Sequence, residues 1–229
     1  MKTAVAIFVK TPGLSPVKSR LAAGIGTKKA VEFYRLSCKA ISELCIRLMS
    51  DVSDLDVFWA VAEQDGLDHE MWSDFPTLTQ GQGGLGERLR FVHQSLCEKD
   101  YHRFAFLGGD CPHISFDDSL NLIRALNGNK GFVVGPAEDG GFWVWGQSGL
   151  RQHSEFWLNI PYSVDQTCKS LYSELLRLGE LKTLATYRDV DTLSDLIHLE
   201  TELSGRSQGL PAQQRLCAWI KSHKFQQDK

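Results

Sequence analysis

Unbroken apolar runs alternate along this chain with stretches whose apolar residues recur every three or four positions. The run Ala4–Val9 (AVAIFV) has no polar interruption, the pattern of a parallel strand buried on both faces. Between Thr27 and Met49 the apolar positions Val31, Tyr34, Leu36, Cys38, Ile41, Leu44, Cys45 and Leu48 have the spacing of one helix with a buried stripe. Further strands are expected at Asp56–Val61, around Leu78, and at Arg103–Leu107, Gly131–Val134, Phe142–Trp145 and Thr183–Thr186. Helices are expected at Glu87–Cys97, Phe116–Leu126, Val164–Leu178, Leu193–Leu203 and Pro211–Ser222. Ser115 is a ready N-cap for the second of these, with Asp117 and Asp118 in its first turn. The PAEDGG segment joins two strands, and its Asp-Gly pair is a hairpin signal. Simple alternation puts Trp143 and Trp145 on one strand face.

Strands alternating with helices imply an α/β fold, a three-layer sandwich in which helices cover both faces of a mainly parallel mixed sheet. No linker-like shift in composition and no internal repeat divides residues 1–229, so one domain is expected, with a polar tail at about 222–229 expected to fray. In such folds ligands bind outside the carboxyl ends of the strands, and the loops that follow the strands are the place to look for chemistry.

Charge narrows the partners. With 25 basic and 28 acidic residues the net charge is −3, which argues against a nucleic-acid surface, where a basic stripe is expected. No apolar run approaches the ~18 residues of a membrane span. The segment MKTAVAIFVKTPG has a short apolar stretch cut by Lys10 and lacks a small-residue cleavage site, so it reads as a first strand rather than a signal peptide and a cytoplasmic protein is expected. The six cysteines, 38, 45, 97, 111, 168 and 217, show no zinc-like spacing. They are expected to be reduced core residues, as cytosolic cysteines usually are.

Five loops carry candidate chemistry. After the first strand, KTPGLSPVKSRL brings Lys10, Lys18 and Arg20 within eleven residues, cations suited to a polyphosphate. It matches neither GxxxxGK[ST] nor GxGxxG, and a solvated surface turn is the plain alternative. The segment GQGGLGERL opens a helix with Gly83, Gly84, Glu87 and Arg88, where free backbone amides suit an anion or a ribose. There Glu87 could equally be no more than a helix-start residue. FLGGDCP ends a buried strand at Asp110, where a carboxylate beside phosphate-binding cations suits a Mg²⁺–phosphate site. A turn aspartate is the alternative, and a Cys111–His113 dyad is disfavoured by adjacent spacing. In GPAEDGGFWVWG, Glu138 and Asp139 follow an apolar strand in the same way. In YRDVDTLSDL, Asp189 and Asp191 point to one side if extended and could ligate a hard cation, although Asp191 or Thr192 could instead cap the next helix.

In this order the motifs FVKTP…VKSRL, GGLGERL, FLGGDCP, GPAEDGGFWVWG and DVDTLSDL resemble the bacterial DUF2064 family over nearly the whole chain. That family falls within the nucleotide-diphospho-sugar transferase (GT-A-like) superfamily, and its members often carry the label rSAM/selenodomain-associated transferase 1. The resemblance implies that Lys10, Lys18 and Arg20 bind phosphates. It implies that Asp110 holds a metal at the strand end, where a DxD would put a second acid on Pro112, and that Asp191 is the late metal-binding aspartate. By the same analogy Asp139 lies at the acceptor side of the crevice. The first loop departs from the family pattern, with Ser15-Pro16 before the valine and a serine after Lys18.

The reading that follows is a Mg²⁺- or Mn²⁺-dependent transferase that takes a nucleoside triphosphate or nucleotide sugar and a small-molecule acceptor. Lys18 and Asp139 are the expected catalytic pair, and the single metal-loop acid tilts the reading toward nucleotidyl transfer. Two alternatives stay open. One is glycosyl transfer from a nucleotide sugar. The other, motivated by the altered first loop, is a non-catalytic nucleotide-binding module.

Overall fold

The computed structural model describes residues 2–128, 131–149, 154–206 and 209–225. Its frame is one seven-stranded sheet of β1 (Thr3–Val9), β2 (Leu55–Val61), β3 (Thr77–Thr79), β4 (Arg103–Gly108), β5 (Gly131–Pro136), β6 (Phe142–Ser148) and β7 (Glu180–Thr183). The spatial order is β3-β2-β1-β4-β6-β5-β7. Only β6 runs antiparallel, against both β4 and β5; the remaining pairs are parallel. From β1 the chain moves outward to β2 on one side and returns to β4 on the other. The loops after β1 and β4 therefore diverge at a switch point, where α/β sheets open a crevice.

Helices α2 (Thr27–Asp51) and α4 (Phe116–Gly128) cover one face of the sheet, and α3 (Leu85–Glu98) and α5 (Thr167–Leu178) the other. Strand alternation sorts the core accordingly. Val5, Ile7 and Leu107 pack with Tyr34, Ile41 and Leu122, while Ala6, Phe104 and Phe106 pack with Val92, Leu96 and Leu171. On the second face the Trp145 ring lies 4.7–6.2 Å from Phe104, Phe106, Phe132, Phe156 and Trp157, each contact adding ~0.5–1.5 kcal/mol beyond burial. A third cluster joins α1 (Ser19–Ile25), α6 (Leu193–Ser204) and α7 (Pro211–His223) to the outer side of α2 through Leu21, Phe33, Leu199 and Leu216. The expected three-layer architecture and mixed sheet are present.

Four local expectations need correction. The seven-residue helix α1 was not anticipated; it buries only Leu21 and Ile25, too few positions for a periodic signal. The last strand is Glu180–Thr183 rather than 183–186, because α5 ends at Gly179 and pairing with Gly131–Val134 begins at once. Helix α5 starts at Thr167, not Val164: residues 164–167 close a tight turn in which the Val164 carbonyl accepts from the Thr167 N–H (3.0 Å), and the first helical bond runs from the Ser170 N–H to the Gln166 carbonyl. Trp143 and Trp145 do not share a face. A bulge in which Gly135 opposes Val144 and Pro136 opposes Phe142 inverts the alternation, so Trp143 joins the first core cluster and Trp145 the second. Of the tail expected to fray, residues 222 and 223 still belong to α7, and 226–229 lie outside the described residues.

Candidate functional site

A crevice of about 1050 Å³ opens where β1, β4 and β6 present their ends to the same edge of the sheet. Its position follows from the topology, and its charge from the segments that surround it.

The loop after β1 is pinned at its base. The Lys10 N–H donates to the Tyr34 hydroxyl (2.9 Å), which donates in turn to the Lys10 carbonyl. The Thr11 N–H donates to Glu63, and the Trp72 indole donates to the Thr11 hydroxyl. The loop ends at Lys18, which precedes α1 in a left-handed conformation, φ 50° and ψ 44°. That turn sends its side chain inward until only 3% of it is exposed. The ammonium lies 2.5 Å from Asp110 Oδ1 and 3.1 Å from Asp191 Oδ1, and Arg20 pairs with the other oxygen of Asp191. Burial alone would lower the Lys18 pKa; the two carboxylates outweigh it and raise the pKa above the ordinary lysine range.

Both acids are placed by backbone. Asp110 follows β4, and its carbonyl accepts from the Val190 N–H (3.2 Å). Further along, Ala137 bridges to Tyr187, so the segment 187–191 is laced across the ends of β4 and β5. Thr192 caps α6 by accepting from the Asp195 N–H, which leaves the Asp191 side chain for the cations. Gly108 and Gly109 line the crevice but do not need glycine for their backbone: neither has a positive φ, and a Cβ at either would make ordinary contacts. Their bareness keeps the floor of the crevice open.

Asp189, half-buried beside this cluster, also lines the crevice. Burial raises its carboxyl pKa to about 7, with Asp110 and Asp139 adding to the rise. The Cys111 thiol donates to Asp189 Oδ1 (2.9 Å), and burial together with that carboxylate holds the thiol well above the usual cysteine range. His113 turns the other way, onto Glu202 (3.2 Å). Cys111 and His113 therefore form no dyad. No disulfide joins any of the six cysteines.

Asp139 closes its turn and lines the crevice. Its Oδ1 accepts from the Gly141 N–H (2.8 Å). Gly140 ties this turn to the segment before α5: its carbonyl accepts from the Cys168 N–H (2.8 Å), its φ is +87°, and a Cβ there would fall 2.1 Å from the Asp165 carbonyl oxygen. In the glycine-rich loop, Gly83 and Arg88 line the crevice, with Arg88 Nε donating to the Gly83 carbonyl. Glu87 holds the start of α3 by accepting from the Gly84 N–H (2.7 Å). Gly84 and Glu87 are thus occupied with one another at the start of α3.

The structure accordingly gathers Lys10, Lys18, Arg20, Gly83, Arg88, Asp110, Asp139 and Asp191 around one crevice. Beyond the residues singled out from sequence it adds Asp165, Phe142 and Tyr162. Nothing in the sequence marks these, since only the bulge at Gly135/Pro136 and the turn at Ser163 aim them here. Among the described residues no three His, Cys, Asp or Glu side chains form a metal-ligand group, and no helix is long and apolar enough to cross a membrane.

The family model described as "Uncharacterized protein conserved in bacteria (DUF2064)" matches residues 47–164, 118 of the 229 residues. No curated protein matches the chain. Among solved structures, one from Desulfovibrio desulfuricans G20, provisionally named a nucleotide-diphospho-sugar transferase, superposes with a TM-score of 0.79 at 21% identity, over 97% of this chain and 99% of that one. CMP:2-keto-3-deoxy-manno-octonic acid synthetase complexed with CTP gives a TM-score of 0.55 at 11% identity, covering 89% and 99%. The 4-diphosphocytidyl-2C-methyl-D-erythritol synthase of Anaerococcus prevotii DSM 20548 gives 0.55 at 14%, covering 86% and 95%. At these identities the likeness establishes a shared fold.

Proposed function

The chain belongs to the DUF2064 family, and from that membership and the charge layout of the crevice we propose that it is a metal-dependent nucleotidyltransferase acting on a small acceptor. One observation carries the reading: a buried lysine holds two carboxylates from distant loops around a single cationic point, at the switch point of the sheet. Two of the proteins that share this fold bear the names of a CMP-sugar synthetase and a diphosphocytidyl synthase, and the reading is in keeping with theirs.

A divalent cation suits the donor set. Asp110 and Asp191 offer hard oxygens to one point where an ammonium already sits, and Mg²⁺ is commonly held by one or two carboxylates together with substrate phosphates. When bound, Mg²⁺ or Mn²⁺ would be held by Asp110 and Asp191 and would neutralise phosphate charge. The chain's own residues do the rest. Lys18 exchanges its carboxylate partners for phosphate oxygens as the nucleotide enters. Arg20, tied to Asp191 but otherwise exposed, offers its remaining N–H groups to the same phosphates. Asp139 keeps Oδ2 for the acceptor hydroxyl. The hydroxyl oxygen attacks the α-phosphorus, the bond to pyrophosphate breaks, and the hydroxyl proton passes to Asp139. Such transfer depends mainly on positioning and charge neutralisation.

The test is incubation of the full chain with α-labelled nucleoside triphosphates, Mg²⁺ and a panel of small hydroxyl compounds. Pyrophosphate release with label on the acceptor is expected, lost in Asp110→Ala while the circular dichroism spectrum is unchanged. Release of a nucleoside diphosphate from a nucleotide sugar would move the assignment to glycosyl transfer. Nucleotide binding indifferent to metal and to Asp110→Ala would make the protein a non-catalytic binding module.

A further inference from the structure

The crevice is uneven in charge: one half sets cations among the carboxylates Asp110, Asp189 and Asp191, and the other holds carboxylates alone. Its four lining cations, Lys10, Lys18, Arg20 and Arg88, come from the loop after β1, from α1 and from α3. The other half, built by the β5–β6 turn, the start of β6 and the segment before α5, contributes Asp139, Asp165, Phe142, Trp143, Tyr162 and Val164 and no cation. Neither Asp139 nor Asp165 is ion-paired among the described residues. The neighbouring Arg188 is taken by Glu138 at 2.6 Å.

The aromatic residues here have spent their polar ends. The Trp143 indole donates to the Ala185 carbonyl (2.9 Å), and the Tyr162 hydroxyl donates to the Trp157 carbonyl (2.8 Å). Trp143 is itself buried in the first core cluster, so the apolar surface of this wall comes from Phe142, Tyr162 and Val164. The Thr167 hydroxyl is likewise bonded to the Pro161 and Val164 carbonyls. This wall therefore offers apolar surface and carboxylate oxygens, a combination that takes hydrogen-bond donors and repels anions. Ser163 holds φ at 61° within the same wall, the sort of strained backbone that persists where surrounding structure enforces it.

From this wall, and resting on the nucleotidyltransferase reading above, we infer that the acceptor carries no phosphate or carboxylate: it is a small molecule with hydroxyl or ammonium donors on an apolar ring face, in the manner of a free sugar or amino sugar. The donor's phosphates lie against the cations and the acceptor against this wall, and a phosphorylated acceptor is rejected by Asp139 and Asp165.

Saturation-transfer NMR on the full chain, with and without a nucleoside triphosphate and Mg²⁺, tests this using glucose, glucosamine and glucose 6-phosphate as probes. Glucose and glucosamine are expected to bind at least tenfold more tightly than glucose 6-phosphate, and Asp165→Lys is expected to narrow that ratio to within about threefold. Equal or tighter binding of the phosphate ester, absence of binding by all three, or a ratio untouched by Asp165→Lys overturns the inference. Should the triphosphate fail to bind while the preference holds, the nucleotidyltransferase reading falls and the assignment of this wall stands.

Discussion

Lys18→Met separates what Lys18 does for the fold from what it does for a ligand. Methionine keeps the length and apolar stem of the side chain and removes the charge. Breaking a buried ion pair from one side costs ~3–5 kcal/mol when the partner is left buried and alone. Here the cost is smaller, because Asp110 is 49% exposed and Asp191, at 24%, keeps Arg20. Water and Arg20 absorb part of the orphaned charge, so roughly 1–3 kcal/mol is expected once screening is allowed for. For a chain of 229 residues that corresponds to a fall in Tm of roughly 3–10 °C at neutral pH. Lys18→Gly shares the loss of charge and relieves the left-handed backbone, worth ~1–2 kcal/mol, but it also empties the space of the buried stem and should melt below Lys18→Met.

The alkaline limb of stability supplies a second readout. The lysine pKa is higher in the folded protein than in the unfolded chain, where 10.5 is the ordinary value. The folded state therefore binds this proton more tightly, and the stabilisation is complete below about pH 10.5 and lost as pH climbs toward the folded value. Wild type should lose stability more steeply above that pH than Lys18→Met, as followed by urea melts at fixed pH. Triphosphate affinity, measured by calorimetry with Mg²⁺, should drop at least tenfold in both variants. Equal melting temperatures with parallel alkaline limbs would refute the claim that Lys18 is held by two carboxylates; unchanged triphosphate affinity would refute its role in binding phosphate.

Three further substitutions probe the surroundings. Gly140→Ala should cost more than 2 kcal/mol, since it combines a positive φ with a Cβ 2.1 Å from the Asp165 carbonyl oxygen, whereas Gly13→Ala, at φ +96° with nothing within 4 Å, should cost only ~1 kcal/mol; equal melting temperatures would show that the 139–165 contact is not tight. His113 is buried, and its pKa is pushed down to about 3 by burial, then by Arg206 and His198. Because the unfolded ring takes up a proton near pH 6.5 and the folded ring does not, stability should fall as pH drops below about 6.5, by ~2 kcal/mol at pH 5. His113→Gln should flatten this part of the acid limb in thermal melts run from pH 7 to 4.5.

The frame of this fold was legible because a strand buried on both faces cannot tolerate polar residues, so Ala4–Val9 and Arg103–Leu107 announce themselves by their composition. The long stripe from Val31 to Leu48 did the same for α2. What escaped were features set by single backbone dihedrals or by pairing partners. Trp143 and Trp145 carry no mark of the bulge between them; it arises from the register of Gly135 and Pro136 against β6. Helix α1 buries two side chains and is held chiefly by α2 and α6, neither of which its own seven residues encode.

The candidate site divides along the same line. Asp110, Asp139 and Asp191 each stand just beyond an apolar strand or just before a helix cap, so their presence at the ligand edge follows from topology alone. Lys18 belonged to a cationic loop, and nothing in that loop distinguishes it from Lys10. The difference lies in φ and ψ: Lys10 remains exposed at the end of β1, whereas the left-handed turn at Lys18 swings its ammonium to a partner 173 residues away. Of the five non-glycine residues with positive φ among those described, two, Lys18 and Ser163, line the crevice, one in the cationic half and one in the acidic half. Each costs ~1–3 kcal/mol that its own neighbours in sequence do not recover. In both halves the unfavourable backbone is sustained by contacts from elsewhere in the chain, which is why the geometry of the crevice emerges only once β4, β5 and β6 have brought their loops together.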